Sequence, residues 1–203
     1  MERESMISIA RLLLFFVITM GYNAFFRNTV KMNRSLTWVF TFSVITLVLY
    51  LGSLLGFMLQ TVYAISVLGC LLSLYYLWAV WKKKYRFRRL DYIALGMMAY
   101  LLLFGITLWH SPLLHYDNFT HWATIVKFFH INNALPTQQD TIISYYTYPV
   151  GSSLFIYFFT TIVGFSEGSM LVGQFFLIAS SLYAMFAALR DDRRVLMVSM
   201  IFA

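Results

Sequence analysis

Long apolar runs constrain this chain more than any other feature of its sequence. A helix that crosses a bilayer needs roughly 20 predominantly apolar residues, because about 30 Å of hydrocarbon must be covered. Segments that meet this requirement are residues 6–26, 36–57, 61–81, 91–110 and 169–189. The sequence therefore predicts an all-α fold: a polytopic transmembrane helical bundle, multi-pass in the cell membrane.

Basic residues gather in short clusters between the apolar runs, although charged residues make up only 11% of the chain. The clusters are Arg27, Lys31 and Arg34; KKKYRFRR at residues 82–89; and Arg190, Arg193 and Arg194. Such clusters are typical of cytoplasmic loops. We therefore expect KKKYRFRR on the cytoplasmic side, residues 111–168 outside, and no nucleic-acid partner despite the net charge of +7.

A further apolar stretch, VGSSLFIYFFTTIVGF at residues 150–165, looks like another span but is too short. As a helix it would measure about 24 Å, against roughly 30 Å of hydrocarbon. If it crossed, the basic segment LRDDRR would also lie outside, against the charge rule. We expect this stretch to dip into the outer interface and to return to the same side.

Three regions follow from this topology. Residues 1–110 would form four N-terminal transmembrane helices. Residues 111–168 would form an external loop of juxtamembrane amphipathic helices, one over 118–131 and one starting after Pro149, where proline is favoured. Residues 169–203 would hold a returning helix and the start of a truncated next span, VLMVSMIFA, so the chain is expected to be part of a longer protein.

Polar and ionisable residues concentrate in and beside the external loop, since residues 110–167 contain all 4 histidines and all 3 prolines. Such residues are costly at a membrane and often mark a functional face. Asp117 directly precedes a helical pattern, so it is either the N-cap of that helix or a functional carboxylate. His121 lies four residues later on the same side, and Lys127 either meets a lipid phosphate or extends to the headgroups.

Metal binding by His115, Asp117 and His121 is chemically possible, since imidazole and carboxylate both suit divalent ions. Their spacing matches no tight metal signature. We expect no metal site and no cofactor, with a divalent ion as the alternative. The single cysteine, Cys70, lies within an apolar run and has no partner for a disulfide.

The order of features after residue 91 is informative. A span emerges outside, Asp117 opens an amphipathic helix, and the turn NNALP, the step YPVGSSLFIYFF, the segment GFSEG and a returning span follow. This order resembles the first external loop of the GT-C glycosyltransferases, polytopic enzymes that use polyprenyl-phosphate-linked sugars and include protein mannosyltransferases and aminoarabinose transferases. The resemblance covers roughly residues 91–190.

The resemblance implies transfer of a sugar from a polyprenyl-phosphate donor at the outer membrane face, in cell-envelope glycan assembly, with membrane lipid as a further partner. Asp117 matches the family's catalytic acid and would act as general base. The expected substrate contacts are His115, His121, Lys127, Tyr148 and Glu167. Lys127 and His121 would stabilise the leaving phosphate.

Two departures from the family pattern concern these residues. Asn118 stands where many members have a second acid, which argues against a two-carboxylate or metal-bound mechanism. Tyr148 stands where the aminoarabinose branch has a lysine for the lipid phosphate. Alternative functions are a permease or transporter subunit and a membrane protein without catalysis. The sequence leaves the sugar, the acceptor and the oligomeric state open.

Overall fold

A computed structural model describes residues 2–82, 84, 92–140, 143 and 146–185. The helices are α1 (Glu2–Asn28), α2 (Arg34–Leu54), α3 (Met58–Trp81), α4 (Tyr92–Trp109), α5 (Ala123–Asn132), α6 (Gly151–Val163) and α7 (Glu167–Met185). A π-helical turn, Asn118–Trp122, precedes α5. The part of the chain that is described contains no strand, so the predicted all-α class is confirmed.

Four helices are long and apolar enough to cross a membrane: Ile7–Asn28, Arg34–Leu54, Met58–Trp81 and Glu167–Met185. They match four of the predicted spans in length and composition, although residues 186–189 of the last one lie outside the described residues. The remaining one, residues 91–110, corresponds to a shorter apolar helix, Ile93–Trp109. That helix is about 26 Å long at 1.5 Å per residue, slightly less than the hydrocarbon thickness.

Close packing of α1 on α3 depends on small residues. A Cβ atom added to Gly21 would collide with the carbonyl oxygen of Gly69 and lie 2.8 Å from the backbone nitrogen of Ser73. Tyr22 donates its hydroxyl proton to the carbonyl oxygen of Ile65 at 2.8 Å. Small residues that let two backbones approach, with side chains bonding across the gap, are typical of helix pairs in membranes.

The α4 and α7 helices pack side by side in opposite directions. Gly168, at the start of α7, lies against the backbone of Trp109, at the end of α4. Further along the pair, the rings of Phe104 and Phe175 are 5.9 Å apart. The segment between the two helices therefore leaves and re-enters the bundle at one end, which we call the loop end.

The short helix α6 lies inside the bundle. It buries nine of its 13 residues, and it contacts α1, α2, α5 and α7. Phe15 of α1 is fully buried against it, 4.8 Å from the ring of Phe159 and 6.4 Å from that of Phe155. The sequence predicts α6 as an amphipathic helix at the membrane interface. The structure packs it among α1, α2, α5 and α7, and its position relative to the membrane stays a prediction.

We predict that Gly21→Ala destabilises the fold by about 1–3 kcal/mol, since the new methyl group forces α1 away from α3. Gly96→Ala in α4 is the matched control, because a Cβ atom there meets nothing within 4 Å. Unfolding by SDS titration in mixed micelles measures both free energies. Equal stability of the two variants would contradict the close α1–α3 contact.

Candidate functional site

Glu167 joins the two ends of the long loop. Its Oε2 accepts a hydrogen bond of 2.9 Å from the backbone N–H of Leu113. A carboxylate in the first turn of α7 also lies where the helix dipole favours negative charge. Glu167, predicted as a substrate contact, thus holds the loop closed beside the Trp109–Gly168 contact.

His115 and Asp117 form an exposed pair. His115 Nδ1 lies 3.4 Å from Asp117 Oδ2, and the two side chains are 75% and 56% exposed. His115 Nδ1 also lies 3.3 Å from the backbone nitrogen of Asp117. It accepts from that N–H when it carries no proton, and it pairs with the carboxylate when it is protonated. Exposed ion pairs contribute little to stability. The pair is therefore accessible to a substrate and is not needed to hold the fold together.

The N-cap interpretation of Asp117 finds no support in its geometry. The backbone of Asp117 is already helical, with φ −62° and ψ −23°, and its side chain makes no capping hydrogen bond. An N-cap residue normally has a non-helical backbone and a side chain that accepts from the first turn. The role of Asp117 as a functional carboxylate stays a prediction.

A π-helical turn separates Asp117 from α5. Ala123 donates its backbone N–H to the carbonyl oxygen of Asn118, five residues earlier. Such turns insert one extra residue into a helix and are frequent at functional sites.

The backbone of His121 lies within the turn, while its side chain is outside the described part of the structure. Lys127 is exposed on α5, between the buried side chains of Val126 and Phe128.

Two side-chain hydrogen bonds join this part of the loop to α6. One is made by His130 of α5, and the other by Asn133, the residue that follows α5. His130 Nε2 lies 2.8 Å from Thr160 Oγ1, and the hydroxyl of Tyr157 donates to Asn133 Oδ1 at 2.9 Å. Because Thr160 donates its own proton to the carbonyl oxygen of Ile156, His130 Nε2 is the donor in the first bond. Burial lowers the pKa of His130 and favours its neutral form.

A cavity of about 760 Å³ opens between α2, α6 and the loop, and we call it the α2–α6 cavity. Its walls come from α2, from the two proline steps of the loop, from the start of α6 and from one residue of α7. The lining residues are Ser43, Thr46, Leu47, Tyr50, Leu135, Pro136, Tyr146, Thr147, Tyr148, Pro149, Val150, Gly151, Ser152, Leu154 and Leu177.

The cavity brings together some of the predicted residues and leaves others apart. Leu135–Pro136 and Tyr148–Pro149, the turn and the step of the family resemblance, line the same space. His115, Asp117, Lys127 and Glu167 are not among its lining residues. Of the predicted substrate contacts whose side chains are described, only Tyr148 lies in the cavity wall.

Sequence reasoning missed the wall that α2 contributes. Ser43, Thr46 and Tyr50 recur at helical spacing along one side of α2, and all three line the cavity. A polar stripe in an apolar segment is the signal that identifies them. Single hydroxyl groups are common in transmembrane helices, so the stripe becomes informative only once the loop is seen to face it.

Metal binding receives no support from the described side chains. Among them, no group of three histidine, cysteine, aspartate or glutamate residues is arranged to hold an ion. The alternative set of His115, Asp117 and His121 includes one side chain outside the described part, so the absence of a metal site there stays a prediction.

Comparison of the chain with known protein families, with curated proteins and with solved structures finds no match in any of the three. A function for this protein therefore rests on the chemistry of its own residues.

We predict that the free energy of unfolding falls as the pH drops from 7 to 5, and that His130→Gln makes this fall shallower. The unfolded chain takes up a proton on His130 near its ordinary pKa of about 6.5, whereas burial lowers the pKa in the folded state. Lowering the pH therefore stabilises the unfolded state more.

His110→Gln is the control for that experiment, because His110 is exposed at the end of α4. Unfolding curves for the wild type and both variants, recorded at several pH values, give the comparison. An unchanged pH dependence in His130→Gln would show that the His130–Thr160 contact is not the source of the effect.

Proposed function

We propose that this protein is an integral membrane glycosyltransferase-like protein, multi-pass in the cell membrane, that uses a polyprenyl-phosphate-linked sugar at the outer face. The observation that carries the proposal is the α2–α6 cavity, since both proline steps of the resemblance line it. A concave site with apolar walls and a few polar groups is the expected form of a binding site for such a donor.

The orientation follows from charge. The segment KKKYRFRR precedes α4 in the sequence, and α4 ends at the loop end. If the basic segment is cytoplasmic, the loop end faces outward. The His115–Asp117 pair and Lys127 then belong to an external loop, and this loop also forms one wall of the cavity. This is the side on which a lipid-linked sugar for cell-envelope glycans would be used.

Asp117 is the general base in this proposal. Its exposed carboxylate takes the proton from an acceptor hydroxyl, and the resulting oxygen attacks the anomeric carbon of the donor sugar. The bond between that carbon and the phosphate oxygen breaks, and the polyprenyl phosphate leaves with the electron pair. His121 and Lys127 are the candidates for offsetting its negative charge.

We predict that Asp117→Asn lowers sugar transfer by about 10²–10⁴-fold, the usual contribution of a positioned general base. Asp140→Asn is the matched control within the same loop. Asp140 accepts from the backbone N–H and the hydroxyl of Thr137 at 2.7 and 2.8 Å, and an asparagine oxygen can still accept there.

The assay follows transfer of radiolabelled sugar from a polyprenyl-phosphate donor to membrane glycan, with the amount of protein checked by immunoblot. Equal transfer by Asp117→Asn and wild type would remove Asp117 from the mechanism. Movement of a labelled solute without formation of a glycosidic product would instead favour the permease.

A further inference from the structure

We infer that the α2–α6 cavity accepts an uncharged sugar carried on an apolar chain and excludes sugars that carry a charge. The inference deepens the proposed function and rests on it, because it specifies the class of donor. It follows from the kinds of group that line the cavity, from the charge of the segments around it and from its exposed apolar side.

The polar side chains of the lining are all hydroxyls. Serine and threonine hydroxyls come from Ser43, Thr46, Thr147 and Ser152, and phenol hydroxyls come from Tyr50, Tyr146 and Tyr148. Thr46 donates its proton to the carbonyl oxygen of Phe42 at 2.8 Å, so it offers a ligand only acceptor lone pairs. A sugar hydroxyl is a suitable donor to such an oxygen.

A tyrosine ring can also pack against the apolar face of a sugar. A pyranose has an apolar face of C–H groups and a rim of hydroxyls, while a phenol has an apolar ring and a polar tip. Tyr146 and Tyr148 lie on the loop side of the cavity and Tyr50 on the α2 side. The cavity therefore offers rings from two directions.

The segments that form the cavity are almost without charge. Residues 35–81 and 168–189 contain no Asp, Glu, Lys or Arg, and residues 132–166 contain only Asp140. Asp140 already accepts two hydrogen bonds from Thr137. A carboxylate or ammonium group on the sugar would gain no partner of opposite charge among the residues that line the cavity.

The side of the cavity formed by α2 suits an apolar chain. Leu47 and Tyr50 line the cavity and are 57% and 38% exposed on the surface of a helix long enough to cross a membrane. Leu177 of α7 adds a further apolar group to the lining. A lipid-linked ligand can thus place its sugar among the hydroxyls while its chain runs along α2.

The test is binding of three short glycosides to the purified protein in lipid nanodiscs, measured by isothermal titration calorimetry at pH 7. The probes are hexyl β-D-glucoside, hexyl β-D-glucuronide and hexyl β-D-glucosaminide, with 1-hexanol to report the chain alone. We expect the neutral glucoside to bind at least about tenfold more tightly than either charged glycoside and more tightly than hexanol.

Equal binding of charged and neutral glycosides would overturn the inference, as would equal binding of the glucoside and hexanol. Because the measurement needs neither an acceptor nor catalysis, its failure is separate from a failure of the transfer assay. A protein that transfers sugar but binds charged glycosides equally well would keep the proposed function and lose this inference.

Variants locate the site. In Gly151→Leu the added side chain enters the cavity, since a Cβ atom there first meets Thr46 Cγ2 at 3.9 Å, and we expect it to weaken glucoside binding about tenfold. Gly96→Leu, the same change in open space on α4, is expected to bind as the wild type does. If Gly151→Leu does not fold, Ser43→Trp is the second variant, because its ring narrows the cavity from the α2 side. Glucoside binding as tight as that of the wild type, by whichever of the two variants folds, would overturn the assignment of the site to this cavity.

Discussion

The antiparallel packing of α4 against α7 is the constraint on which the rest of the structure depends. Trp109 and Gly168 are in direct contact, and the Leu113–Glu167 hydrogen bond closes the same end of the pair. These contacts return the polar segment to the end of the bundle from which it starts. The His115–Asp117 pair and the α2–α6 cavity belong to that segment and to the helices it meets.

Because α6 is buried, the last part of the segment between α4 and α7 belongs to the core of the bundle. The rings of Phe15, Phe159 and Phe176 pack against one another at 4.8 to 5.7 Å, and they anchor α6 between α1 and α7. Between helices in a membrane, such ring packing stabilises the bundle through van der Waals contact. The start of α6 is thereby held against α2, and a cavity remains where the loop and α2 do not fill the space.

Apolar length and charge distribution were sufficient to predict the helices from the sequence. The expected helix over 118–131 and the one after Pro149 match the π turn with α5, and α6. The burial of α6 among four helices could not be predicted, because VGSSLFIYFFTTIVGF is equally compatible with a bilayer interface and with a protein core. Ser43, Thr46 and Tyr50 became candidates only when tertiary packing placed them opposite the loop. The functions proposed for Asp117 and its neighbours stay predictions.

The side of the membrane on which the loop lies is the claim that joins the structure to the proposed chemistry. Single cysteines at Gln138, Ser166 and Lys82, introduced after replacement of Cys70 by alanine, test it most directly when intact cells are treated with a membrane-impermeant thiol reagent. All three positions are exposed in the structure. Our account predicts labelling of the Gln138 and Ser166 positions in intact cells, and of the Lys82 position only after lysis. Labelling of the Ser166 position only after lysis would show that residues 150–165 cross the membrane and would contradict the account.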